Sequence, residues 1–323
     1  MVRIFAHANY DFIGFRGKAI RATIALFVVG MIALIVRGVN YSVEFTGGTL
    51  MRITVTGPNA APGALRAGLQ QVGIGDAEIT PFGQNQYLIR APNAIGTDPD
   101  NTSVTATAIG KALDQVVGVG KWRSDGSHAV GPKVGSELRT KAFLAIFLSF
   151  FAVLAYLAYR FEWRFGLAAV VATFHDIVLT ICFIAVMKLE VSLVVVAAVL
   201  SMVGYSLNDT IVIFDRVREN LRKNRRDHLV EVLNRSINET LPRSVLTHTT
   251  ALATLTALAI FGGPVIRPFA LVMFFGVFTG TFSSVFIAAP VLLIIEHKWP
   301  GVDGRGVKVG AKVAGARSKP HPA

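Results

Sequence analysis

The run "VGYSLNDTIVIFDRVREN", Val203 to Asn220, decides how this chain is read. It closes an apolar stretch that begins at Val191, yet Asn208 and Asp209 stand side by side before that stretch is finished. Asp215, Arg216, Arg218 and Glu219 follow at once. An ionisable residue in an apolar run is expensive, and within a membrane span it is a functional-site candidate by default. Whether this run is such a span depends on the rest of the chain.

The chain has 323 residues, 52% hydrophobic and only 16% charged, with a mean hydropathy of +0.53. Soluble domains carry about 25% charged residues. Here the apolar residues gather in long runs, which is the pattern of a membrane protein. A net charge of +12 raises the question of nucleic acid. The basic residues flank apolar runs instead of forming one stripe with interleaved aromatics, so the bilayer is the expected partner and nucleic acid is not. The one cysteine, Cys182, lies inside an apolar run, which leaves no disulfide framework.

Windows of about 20 mostly apolar residues give six spans. They are roughly Ala19–Val36, Ala142–Tyr159, Phe165–Met187, Val191–Phe214, Leu241–Phe261 and Phe269–Ile295. The first is preceded by Arg16 and Lys18, like a signal peptide, but it is long for one and runs into Arg37 with no small-residue cleavage site. It is read as an uncleaved span. Basic residues concentrate in 1–18, 160–164, 215–240 and the tail 296–323, whereas the short opposite loops hold only Lys188 and Arg267. The positive-inside rule then places both ends in the cytoplasm.

Residues 38–140 are left as an extracytoplasmic domain of roughly 100 residues, a usual size for an independent fold. "YSVEFTGGTLMRITV" (Tyr41–Val55) alternates like a strand and "APGALRAGLQQVG" (Ala61–Gly73) reads as a helix. "AEITPFG" and "QYLIRAP" form a hairpin pattern, "SVTATAIGKALDQVVG" a second helix, and "SHAVGPKVG" (Ser127–Gly135) a last strand. The order βαββαβ predicts a ferredoxin-like α+β domain between the first two of six membrane helices.

Among the ionisable residues inside the spans, the candidates are His175 and Asp176 in the third, Asp209 in the fourth, and Arg243 and His248 near the start of the fifth. Asp209 lies about 9 Å of helix before Asp215, shallow enough for water to reach and deep enough to penalise an unpaired charge. The fourth and fifth spans are antiparallel neighbours in sequence, so a long Arg243 side chain is expected within reach of it. Blander readings stand beside this one. Asp209 can snorkel, Arg243 can be one more anchoring cation, and His175 with Asp176 can be a structural inter-helix pair. Asn208 can simply hydrogen-bond a neighbouring helix. Residues 215–240 read as a solvated loop. Gly276, Gly280 and Ser284 recur every four residues, a small-residue face suited to close helix packing, and Pro290 is expected to bend that helix. There is no G-x-x-x-x-G-K-[ST] loop, H-E-x-x-H pair or G-x-S-x-G elbow, so neither an enzyme nor a metal site nor a bound cofactor is expected. If the protein uses energy, an ion or proton gradient is the remaining source.

At this point a resemblance enters. "VGYSLNDTIVIFDRVREN" looks like the fourth-span signature of the SecF family, membrane subunits of the bacterial protein-export machinery. "VEFTGGT" (Glu44, Phe45, Thr46, Gly47, Gly48 and Thr49 after Val43) resembles that family's D-F-T-G-G-T element, with Glu44 where Asp is usual. "YDFIGFRGKAI", "VGPKVGSELRTKA", "FHDIVLT" and "ETLPRSVLTHTT" match in order and position, so the resemblance covers roughly residues 8–298. The tail from Gly301 matches nothing and is expected to be disordered.

The resemblance implies an RND-like half-unit of six spans that pairs with SecD into a twelve-span whole in the bacterial plasma membrane. It implies work beside the SecYEG channel, using the proton motive force to draw exported polypeptide across. Asp209 and Arg243 then correspond to residues implicated in proton passage, and a charge switch between them is the expected mechanism. Two rivals remain: an RND-type exporter of small molecules or lipids that completes itself as a homodimer, and a non-transporting assembly scaffold docking through 215–240.

Overall fold

The computed structural model describes residues 8–56, 61–75, 77–83, 85–92, 102–223 and 227–299. The tail expected to be disordered lies outside the described residues from 300 onward. Six helical stretches are long and apolar enough to cross a membrane, which makes this a multi-pass membrane protein. They are α1 (Arg16–Arg37), α5 (Pro132–Arg160), α6 (Trp163–Val186), α7 (Leu193–Lys223), α8 (Leu229–Phe261) and a last span. That last span begins as α9 (Gly263–Ser283), passes through a π-helical turn (Ser284–Ala288) and ends as α10 (Ala289–Lys298).

Burial separates these helices by role. The apolar windows of α6, α7 and the last span are 50–56% buried, whereas those of α1 and α5 are only 6% buried. The first group forms the bundle core around Val195, Met202, Phe214, Val272 and Leu292. The second turns Phe143, Phe147, Ile32 and Ile35 outward, the side chains that lipid solvates as well as protein does. Helix α1 leans on α6 where Gly30 leaves room: a Cβ there would sit 2.3 Å from Cys182 Cβ.

Between α1 and α5 stands the α+β domain: α2 (Val43–Thr46), β1 (Gly48–Val55), α3 (Pro62–Gln71), β2 (Glu78–Gly83), β3 (Gln86–Ala91), α4 (Thr102–Val116) and β4 (Trp122–Val130). The sheet order is β2-β3-β1-β4, with every pairing antiparallel, as a ferredoxin-like fold requires. Alternation in β1 sends Met51, Ile53 and Val55 inward, where they meet Leu65, Leu69, Ile89, Ile109 and Leu113.

Four readings from sequence change here. The first strand does not start at Tyr41, because Ser42 Oγ accepts the Glu44 N–H at 3.1 Å and caps a single helical turn. Gly47 and Gly48, at φ 78° and 138°, then turn the chain into β1. The last strand stops at Val130, since Pro132 occupies the first turn of α5, where a missing N–H is harmless. Within 215–240 most of the described residues are helical and not loop. Both α7 and α8 continue into that stretch, because Ile213, Phe214, Val217 and Leu221 bury against Val232, Leu233 and Ile237. Finally, the irregularity near Pro290 is the π-helical turn just before it. Pro290 has no N–H for the carbonyl four residues back, and the widened turn absorbs the mismatch.

Candidate functional site

The site is assembled by a close crossing of α7 and α9. A Cβ on Gly276 would fall 2.1 Å from Met202 Cγ, and one on Gly280 would fall 2.8 Å from Ser206 Cβ. One turn further, Ser284 Oγ and Thr210 Oγ1 share a hydrogen bond of 2.8 Å. The small face therefore meets Met202, Ser206 and Thr210 in three successive turns, and it holds the helices together from within the chain.

Asp176 lies behind this crossing and is fully buried. Ser206 Oγ from α7 and Ser283 Oγ from α9 both donate to its Oδ2 at 2.6 Å. His175 Nδ1 stands 2.9 Å from Oδ1. Three helices are thereby tied at one carboxyl group. Asn208, by contrast, points away from the bundle and is exposed.

Asp209, three residues after Ser206 on α7, is also buried and shares a cavity with residues of α8 and the last span. Its ionic neighbour is His248, with Nε2 at 3.3 Å from Oδ2, and Ser244 lines the same cavity one turn earlier on α8. The expected ion pair with Arg243 is not formed in this structure, although Arg243 is close enough to act on Asp209 electrostatically. Helix phase is the reason. Arg243 and His248 are five residues apart, which puts them about 140° apart around α8. When His248 turns inward, Arg243 is left exposed. His248 was visible in the sequence as an intramembrane base. Only the facing of α7 and α8 picks it out as the neighbour of Asp209.

A cavity of about 380 Å³ opens at this pair. Asp209, Ser244 and His248 supply polar groups to its wall, and Phe12, Phe282 and Phe286 part of its apolar lining. Phe12 is brought there by the segment before α1, which is clamped to the extension of α8. Asn238 Oδ1 accepts from Tyr10 N–H and its Nδ2 donates to Tyr10 C=O, both at 2.9 Å. Asn234 Oδ1 accepts from Ile13 N–H at 3.0 Å. Beyond this point the extensions of α7 and α8 are laced together: Arg216 bonds Glu239 and Glu219, each at 2.6 Å, and Asn220 Nδ2 bonds Ser236 Oγ at 3.0 Å.

At its far end α7 is attached to the α+β domain. Glu44, expected in the first strand, instead lies on α2, and its Oε2 accepts the N–H of Leu193, the first residue of α7, at 2.7 Å. A carboxylate suits that position because helix N-terminal N–H groups lack internal partners. Ser42 N–H donates to Val191 C=O at 2.9 Å, and Val191 N–H to Asn40 C=O at 2.7 Å. Arg90 of β3 pairs with Glu78 and with Glu190 of the loop before α7. Burial pushes the Glu190 carboxyl above its ordinary range, opposed by Arg90. Phe45 is buried and Thr46 Oγ1 donates to Ser42 C=O at 3.2 Å. Gly47 lies flat on α5, where a Cβ would meet Pro132 Cα at 2.8 Å. Thr49 is fully buried in β1.

Residues 111–298 match the family described as protein export membrane protein SecD/SecF, C-terminal, and residues 32–58 match the SecD/SecF GG motif. A protein translocase subunit SecF from Gemmatimonas aurantiaca is 48% identical over 320 residues, 96% of this chain and 95% of its own length. The chain belongs to the SecF family. A second SecF, from Magnetococcus marinus, is 38% identical over 91% of this chain and 95% of its own. Among solved structures, SecDF from Thermus thermophilus, titled a translocon-associated membrane protein, aligns with a TM-score of 0.79 at 33% identity. It covers 90% of this SecF-family chain and 39% of its own. A SecDF in a super-membrane-facing form aligns at a TM-score of 0.66, over 91% of this chain and 39% of that one.

Proposed function

We propose that this SecF-family chain is one half of a proton-driven unit that assists polypeptide export. Its partner is a SecD-like chain, and the pair works beside the SecYEG channel in the bacterial cytoplasmic membrane, with both ends of this chain cytoplasmic. The carrying observation is Asp209: a buried carboxylate at a cavity, beside a titratable imidazole and within electrostatic range of an exposed arginine. Ionised Asp209 attracts Arg243; protonation releases it. The helices on the partner side then repack between two states that need differ by only a few kcal/mol. One charge crossing 100 mV supplies about 2.3 kcal/mol, which is the size required.

Two further observations support the reading. The solved SecDF chains are longer than this one by more than its own length, as expected if this chain supplies one half of a larger unit. Helix α7 carries Asp209 and is capped at its start by Glu44 of the α+β domain. A shift of α7 would therefore reach the domain that meets exported polypeptide. The energy source is the gradient, with no cofactor.

The test is co-reconstitution with the SecD-like partner and the SecYEG channel in vesicles, measuring translocation with and without an imposed proton gradient. Asp209→Asn is expected to lose the gradient-dependent stimulation, at least tenfold, while leaving ATP-driven translocation intact. Full stimulation in that variant would overturn the reading.

A further inference from the structure

We infer that His248 is a second seat for the moving proton: with Asp209 it forms a dyad holding one proton, and loss of that proton hands the carboxylate from His248 to Arg243. This rests on the proton-driven reading above and adds a residue and a sequence of events to it.

His248 Nδ1 is 2.6 Å from the backbone carbonyl of Ser244, one turn earlier on α8. A carbonyl oxygen only accepts, so Nδ1 carries a hydrogen in every state that keeps this bond. The neutral ring therefore presents a bare lone pair at Nε2, and that lone pair is what faces Asp209 Oδ2 at 3.3 Å. Two acceptors at that distance repel unless a proton lies between them. A single proton relieves that repulsion, on Nε2 as an imidazolium–carboxylate pair or on Oδ2 as a carboxylic acid beside a neutral ring.

The surroundings leave few other candidates. From α7, Tyr205 stands edge-on to the ring at 5.5 Å, and its hydroxyl donates to Thr247 C=O at 3.1 Å. From α9 and the π-helical turn come Phe278, Thr281, Phe282 and Val285, and from the N-terminal segment Phe12, none of them charged. On α8 itself Ser244 offers Asp209 a neutral hydroxyl, and the nearby cation is Arg243. Asp176 is engaged by His175, Ser206 and Ser283 and does not enter the pocket. When the dyad's proton departs, Nε2 and Oδ2 repel, and among the described residues Arg243 is the cation placed to receive the ionised carboxylate. When a proton returns to either atom, the contact with His248 re-forms and Arg243 is released. One proton enters and one leaves per exchange, with no covalent change.

The experiment uses the reconstituted complex of this chain with its SecD-like partner. Gradient-driven stimulation is measured against pH for the wild type and for His248→Gln, whose amide can still donate to the carboxylate. Losing one of two proton seats lowers the pair's affinity for its single proton. The pH of half-maximal stimulation is therefore expected to fall by about one unit in His248→Gln, with stimulation at the optimum largely kept. An unchanged profile would show that His248 only packs. Loss in Asp209→Asn but no shift in His248→Gln would leave the proton-driven reading standing and remove the dyad. Should His248→Gln not assemble, infrared difference spectra of the wild-type complex across the same pH range decide it. An Asp209 carboxyl band, assigned by its absence in Asp209→Asn, is expected to change together with an imidazole ring band. A carboxyl change without the ring change would overturn the proposal.

Discussion

Asp176 and Asp209 are both buried carboxyl groups 33 positions apart in the sequence numbering, yet their surroundings differ in kind. Asp176 has a hydroxyl or ring nitrogen on each oxygen. Asp209 has one long ionic contact and an opening beside it. Satisfied buried polar groups hold structure together, whereas a loosely held one beside a cavity can change partner. Asp176→Leu would take the acceptor from the Ser206 hydroxyl and the His175 imidazole, while Ser283 keeps the Gly280 carbonyl, at a cost of about 2–4 kcal/mol. The expected outcome is a clear fall in thermal unfolding temperature of the detergent-solubilised chain, with Asp176→Asn much milder. An unchanged unfolding temperature combined with lost gradient response would instead place Asp176 on the proton path. At this scale the sequence marked both carboxyl groups and the bases near them, and left their roles open.

At the scale of elements, the informative contact is the three-turn ladder between α7 and α9. Gly280 approaches the backbone as well as the side chain of Ser206, whose Cα would lie 3.1 Å from an added Cβ. Backbone cannot swing aside as a side chain can, so Gly280→Ala should destabilise by about 1–3 kcal/mol through overpacking. Thermal unfolding in detergent reads this directly, and an unaffected protein would mean the two helices part more readily than their packing implies. The four-residue spacing is enough to announce the stripe, but it does not name the helix that the stripe meets. The extensions of α7 and α8 read as a loop in the sequence for a related reason. Their charge density hides an apolar seam, and that seam exists only when the two helices face each other.

On the whole molecule, one face of α7 remains uncovered by this chain. Ser201, Gly204 and Asn208 are exposed along it, and a Cβ on Gly204 would meet nothing within 4 Å. Under the proposed function this face, with Arg243 of α8 nearby, is where the SecD-like helices dock. Gly204→Leu is expected to leave the unfolding temperature of the isolated chain within about 1 °C, since nothing in the chain is crowded. Co-purification with the partner should fall several-fold. Retained co-purification would move the docking face elsewhere on the bundle.

Six spans, the α+β domain and the small-residue stripe were legible in the sequence because each rests on a local property: run length, period and residue size. Helix phase is not local in that sense. Whether Arg243 or His248 turns toward Asp209 depends on how α8 is rotated against α7, and that rotation is set by packing across the whole bundle. So too with Glu44, whose place in a strand-like pattern gave no sign that it caps a helix beginning at Leu193. The sequence by itself determined which groups the membrane would have to tolerate. Tertiary structure alone decided which of them touch, because contacts between distant residues are made by the packing of helices and not by the pattern within any one of them.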